Sequence, residues 1–181
     1  GRDAALRLAS EAQIFLIIVL FAIVVLAEIF MPKVIALLAP GFTETPDRLA
    51  AAVDLARVTM PYLPMISVVA LWGAIANAHD RFMAAAAAPI LANLCFIAGA
   101  ISIPILAADL GMFKALPIAI GLLVAGFCQL LFLFFVLRRL SAVPKLQWPR
   151  LSNAGKMMWR KFLPAALGAG GMQLNLLVDL I

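Results

Sequence analysis

The sequence predicts an all-α fold: a polytopic integral membrane helical bundle. Three observations predict it. The chain is 66% hydrophobic and only 13% charged across 181 residues. That is about half the charged share of a soluble domain, whose surface must face water. Apolar residues gather into five long runs, and the basic residues gather into the segments between them. Those connections alternate in charge, as they must if successive runs cross a bilayer in opposite directions.

The runs cover about 12–38, 59–78, 85–107, 115–137 and 162–181. Each reaches the roughly 20 residues that a helix needs to cross ~30 Å of hydrocarbon. Helix is the state expected of all five, because lipid offers the backbone no hydrogen-bond partner. The first run is long enough to tilt or to project beyond the hydrocarbon. Pro40-Gly41 ends it with a turn. Thr45-Pro46-Asp47 then reads as a helix start, with a capping residue, proline at the first helical position and an acid in the first turn. A short helix over about 46–58 is expected at the outer interface. Pro61 and Pro64 should make the start of the second run irregular.

Orientation follows from lysine and arginine. Arg2, Arg7, Arg81, Arg138, Arg139, Lys145, Arg150, Lys156, Arg160 and Lys161 fall on one side. Lys33, Arg48, Arg57 and Lys114 fall on the other. The N-terminal side is therefore expected in the cytoplasm. The net charge of +5 then suits an anionic membrane surface, and nucleic acid is not an expected partner. Segment 138–161 is the most basic stretch. Pro144 and Pro149 interrupt it, and Trp148 and Trp159 suit the headgroup level, so a loop with an interfacial turn is expected. Because the sequence opens on Gly1-Arg2-Asp3 and stops at Ile181 straight after an apolar run, a fragment of a longer protein is expected.

Cys95 and Cys128 lie inside apolar runs with no second ligand at metal spacing, so they read as buried thiols. No metal and no cofactor is expected. The sequence carries no catalytic triad, paired acid/base carboxylates or phosphate-cradling glycine loop, so no enzymatic activity is assigned.

Polar groups inside the runs are costly and mark places to look for function. Glu28 precedes Pro32 by four residues, which predicts a local kink. Its carboxylate suits an ion site, the outer interface or a pair with a helix outside this chain. Asn93 reads as a helix tie or a cavity group, and Gln129 as a helix tie. The last run combines Gly168, Gly170 and Gly171 with Gln173, Asn175 and Asp179. Asn175 and Asp179 share one helix face at i,i+4 spacing. Glycine interruption beside polar groups fits a helix that bends at a solvated cavity, and equally fits close packing of helices.

Several stretches together resemble the MurJ/MviN family of lipid II flippases. Ala39-Pro40-Gly41-Phe42, Thr45-Pro46-Asp47 and Arg57-Val58-Thr59-Met60-Pro61-Tyr62 are similar to that family's connection between the third and fourth helices. Gly73-Ala74-Ile75 with Asn77, Arg81-Phe82, and Ala88-Pro89 with Leu91 and Asn93 continue the likeness in order and spacing. The resemblance implies a partial MurJ-like fold, from about the third to the seventh of about fourteen helices in two repeat-related lobes. It implies transport of undecaprenyl-pyrophosphate-linked peptidoglycan precursor across the bacterial inner membrane by alternating access. The partners would be lipid II or a related lipid-linked precursor, membrane lipids and the remaining helices of the full-length protein. It puts the main cationic headgroup residues on helices outside this sequence. The expected substrate-cavity residues here are Asn93, Gln173, Asn175 and Asp179, with Gly168, Gly170 and Gly171 as a hinge. Another lipid-linked oligosaccharide or multidrug exporter of the same superfamily, or a non-transporting membrane scaffold, is the alternative.

Overall fold

A computed structural model describes residues 2–106, 114–146, 148, 152, 153, 155–160, 162, 164 and 168. They form two compact units, one of residues 15–143 and one that joins residues 1–14 to 144–181. Five helices dominate: α1 (Arg2–Leu38), α2 (Pro46–Thr59), α3 (Tyr62–Asn77), α4 (Phe82–Leu106) and α5 (Leu116–Arg139). Among the described residues, four stretches are long and apolar enough to cross a membrane: Asp3–Leu38, Pro46–Asn77, Phe82–Ile105 and Leu116–Arg139. The chain is a multi-pass, all-α membrane segment.

Local sequence accounts for the breaks. α1 runs through Pro32, which has no N–H to give the Glu28 carbonyl. After Leu38, one 3₁₀ turn over Pro40–Glu44 leads into α2. Thr45 caps α2 with extended backbone (φ −128°, ψ 97°), and its hydroxyl makes no capping hydrogen bond. The extended conformation is the one that a following proline imposes. A turn at Met60 and Pro61 separates α2 from α3. Pro64 sits in the first turn of α3, where helical N–H groups lack partners in any case.

Two helix ends share one device. After α3, the Arg81 N–H donates to the Ala76 carbonyl (2.9 Å) and the Asp80 N–H to Asn77 (3.0 Å). After α5, the Ala142 N–H donates to Leu137 (2.9 Å) and the Ser141 N–H to Arg138 (3.0 Å). Both are Schellman closures, which satisfy terminal carbonyls and need one residue in the left-handed region. Asp80 (φ 58°) and Ser141 (φ 50°) hold those positions.

In the larger unit α3, α4 and α5 pack against one another. Val69, Ala88 and Leu133 form the core, covered by Ile66, Trp72, Ala84, Leu130 and Phe132. α5 buries Pro117, Gly121, Ala125, Gln129, Leu133 and Leu137, a stripe at every fourth residue. Its outward face carries Ile120, Val124, Phe127, Leu131 and Phe135. α4 likewise exposes Ile90, Leu94, Ile97 and Ile101 while burying Ala88 and Ala92. Small residues inside and large apolar residues outside invert the soluble pattern and suit helices solvated by lipid.

The second unit is tied by side chains of α1's first turns. Ser10 donates to the Leu6 carbonyl (2.8 Å) and its oxygen accepts the Lys145 N–H (2.9 Å). The Glu11 carboxylate accepts from Ser152, from its N–H at 3.1 Å and its hydroxyl at 2.8 Å. The Ser152 hydroxyl oxygen in turn accepts the Gly155 N–H (3.1 Å), so it caps the helical residues 155–160 that follow. Leu146, Trp148, Met157 and Phe162 stay exposed on this basic segment.

Candidate functional site

Among its described residues the larger unit buries one polar side chain. Gln129 is 1% exposed, placed by the every-fourth-residue stripe of α5. Its amide donates to the Ala88 carbonyl of α4 at 2.8 Å. That carbonyl has a second lone pair to offer beside its own helix bond. The Gln129 oxygen faces the Tyr62 hydroxyl of α3 at 3.4 Å, which is long for such a bond. One amide thus links three helices. A cavity of about 360 Å³ opens beside it, lined by Asn77, Pro89 and Gln129 among small and aliphatic side chains.

Glycines let the same helices approach closely. A Cβ on Gly99 would stand 2.9 Å from the Pro117 carbonyl oxygen and 3.3 Å from Ile118 Cα. One on Gly121 would stand 3.0 Å from the Cys95 carbonyl oxygen. One on Gly126 would meet Tyr62 Cδ2 at 2.8 Å and Met65 Sδ at 2.9 Å. The result is a three-helix block with little room to slide.

Of the cavity residues expected from sequence, Asn93 is described: it is exposed on α4, on the face that carries Ile90 and Ile97. Gly168 is helical, and a Cβ there would meet nothing within 4 Å. Gly170, Gly171, Gln173, Asn175 and Asp179 lie outside the described residues. Glu28 finds its partner within this chain. Its carboxylate lies 3.8 Å from Arg57 Nε of α2, and Arg57 also lies 3.9 Å from Asp54. Both partners are substantially exposed, which keeps the pair's worth small.

Sequence reasoning read Gln129 as a helix tie but missed Tyr62, because a tyrosine 67 positions away gives no local signal. It also missed a groove where the start of α4 meets the end of α5. The groove measures about 640 Å³ and is lined by Arg81, Phe82, Phe132, Val136 and Arg139, with Asp80 at its rim. Among the described residues no cluster of potential metal ligands occurs.

Gln129→Leu should cost about 1 kcal/mol, the scale of an interhelical hydrogen bond in a membrane protein. Thermal unfolding in detergent should fall by a few degrees. Tyr62→Phe should change it less, given the longer distance. Equal effects of the two substitutions would contradict this ranking.

A family model described as lipid II flippase MurJ matches residues 1–181. The chain is 30% identical to a probable lipid II flippase MurJ of Rickettsia prowazekii, over 99% of this chain and 34% of that protein. It is 30% identical to one from Rhizobium meliloti, over 99% of this chain and 34% of that protein. It is 32% identical to one from Rhizobium tropici, over 98% and 33% respectively. The chain spans about a third of the length of these curated relatives.

Proposed function

Since the chain belongs to the lipid II flippase MurJ family, matched along its whole length, we propose that the full protein translocates lipid II by alternating access. This chain supplies part of the wall of its passage. The whole-length family match is the observation that carries the reading, and helices that expose large apolar side chains support it.

The physical task is electrostatic. A pyrophosphate carrying a sugar-peptide head cannot enter hydrocarbon unaided, because an isolated charge loses its hydration there. The protein must offer a hydrated cavity that opens to one side at a time. Alternating access needs blocks that move as units. The α3–α5 block, tied by Gln129 and closed at Gly99, Gly121 and Gly126, suits such a unit. The glycine-broken run 162–181 is the element assigned to bending, with Gly168, Gly170 and Gly171 as hinge. Gln173, Asn175 and Asp179 face the cavity in this reading, and Asn93 joins them where its exposed face of α4 meets helices outside this chain. The main cationic contacts to the pyrophosphate belong to helices outside this chain.

The protein sits in the bacterial inner membrane with the N-terminal end of α1 in the cytoplasm. The ten-to-four bias of lysine and arginine supports that orientation. Spans at about 12–38, 59–78, 85–107, 115–137 and 162–181, with an interfacial helix over about 46–58, complete the topology. The relatives are named as flippases, and we assign no enzymatic step to this chain. Expressed at full length in a bacterium depleted of its own lipid II flippase, the protein should restore growth and cell shape. Membrane-inserted protein that leaves the depleted cells to lyse would overturn the assignment. Rescue is not expected of an exporter of drugs or of other lipid-linked sugars.

A further inference from the structure

The groove between the start of α4 and the end of α5 combines cationic and apolar side chains. Its rim carries Arg81 and Arg139, and its wall carries Phe82, Phe132 and Val136. Both arginines are exposed. Among the described residues both ion pairs belong to Arg57, so neither groove arginine lies within ion-pair distance of an acid. Asp80 is the acid on the same rim. Two guanidinium groups against one carboxylate leave a formal charge of +1. The two Schellman closures, at Asp80 and Ser141, fix the turns that present Arg81 and follow Arg139.

We propose that this groove holds an anionic glycerophospholipid with a single phosphodiester charge, drawn from the leaflet at the cytoplasmic ends of α3, α4 and α5. Charge complementarity selects the headgroup: the excess of one positive charge matches one phosphodiester. Guanidinium groups suit a phosphate because their planar fork donates two parallel hydrogen bonds. Phe132 and Val136 lie on successive turns of α5, and Ala84 and Ala87 on successive turns of α4, so the wall runs from the charged rim along both helices. Acyl chains would follow that wall into the bilayer. Basic pockets between membrane helices on the cytoplasmic side are known to take anionic lipid headgroups, cardiolipin and phosphoinositides among them. The bound lipid would brace the two helix ends, a role separate from translocation.

The test uses the full-length protein in nanodiscs of phosphatidylcholine with a minor share of phosphatidylglycerol, extracted into detergent and weighed intact by mass spectrometry. Wild type should retain phosphatidylglycerol in preference to phosphatidylcholine. Arg81→Gln with Arg139→Gln should lower that preference by about ten-fold or more, the scale set by losing charge-assisted hydrogen bonds. Val136→Trp keeps both arginines but fills the wall, and it should also lower retention. Arg48→Gln with Lys114→Gln, outside the groove, should leave it unchanged. An equal loss in that control pair would reduce the effect to general surface charge and overturn the proposal. So would undiminished retention in the Arg81/Arg139 variant. Excess inorganic phosphate should fail to displace the lipid, and displacement would point to a free-anion site instead. Unchanged melting of each variant in lipid-free detergent separates lost binding from lost folding.

Discussion

Gly99→Val in the full-length protein should remove most of the folded, monodisperse material that the wild type yields. The added Cβ would stand 2.9 Å from the Pro117 carbonyl oxygen and 3.3 Å from Ile118 Cα. Both are backbone atoms of α5, so no side chain can swing aside to make room. The two helices would have to separate, and the contact at Gly121 beside the Cys95 carbonyl would open with them. Overpacking commonly costs about 1–3 kcal/mol and sometimes more. Valine at a backbone contact belongs at the upper end. Gly73→Ala is the matched control, because its Cβ would meet the Ala85 Cβ at an ordinary 3.7 Å. Size-exclusion profiles and thermal aggregation in detergent should leave Gly73→Ala near wild type and show Gly99→Val largely aggregated. Equal yields of the two would contradict the close approach of α4 and α5.

Asp179→Ala should impair translocation without impairing membrane insertion. An acid within an apolar run is costly unless it is wet or paired, and the i,i+4 spacing would put Asn175 on its face if the run is helical. Losing a charged contact of about 1.5–3 kcal/mol corresponds to roughly ten-fold or more in transport. Gly170→Leu should act through the proposed hinge instead, by removing its glycine. Complementation of flippase-depleted cells reads both, with membrane fractionation to confirm insertion. Full complementation by both variants would remove the last run from the cavity.

The sequence made the helices legible because lipid imposes a simple rule. An apolar stretch of bilayer length must bond its own backbone, so composition marked the apolar bodies of α1, α4 and α5, but not the ten residues from Arg2 by which α1 precedes its apolar run. The start of α2 was legible in Thr45-Pro46-Asp47, since a proline at the first helical position fixes its own φ and the preceding residue. Other features had no local signature. Gly99 and Gly121 are single glycines in apolar runs, and nothing in those runs says that their backbones touch. The left-handed positions fall to Asp80 and Ser141, where glycine would have announced them. The basic groove joins Arg81 to Arg139 across 58 positions, a pairing that only the antiparallel packing of α4 and α5 creates. Glu28 carried three readings because the arginine that reaches it lies on another helix.

The topology is the claim on which the rest stands, and one labelling experiment addresses it. Phe42 is exposed in the turn after α1, and Trp148 is exposed in the basic segment after α5. In a background with Cys95 and Cys128 changed to alanine, Phe42→Cys and Trp148→Cys would each be treated with a membrane-impermeant thiol reagent on intact spheroplasts. The topology predicts labelling of the first without permeabilisation and of the second only after it. Labelling of both from the same face would contradict the odd number of crossings between them, and with it the assignment of these helices to one wall of a transmembrane passage.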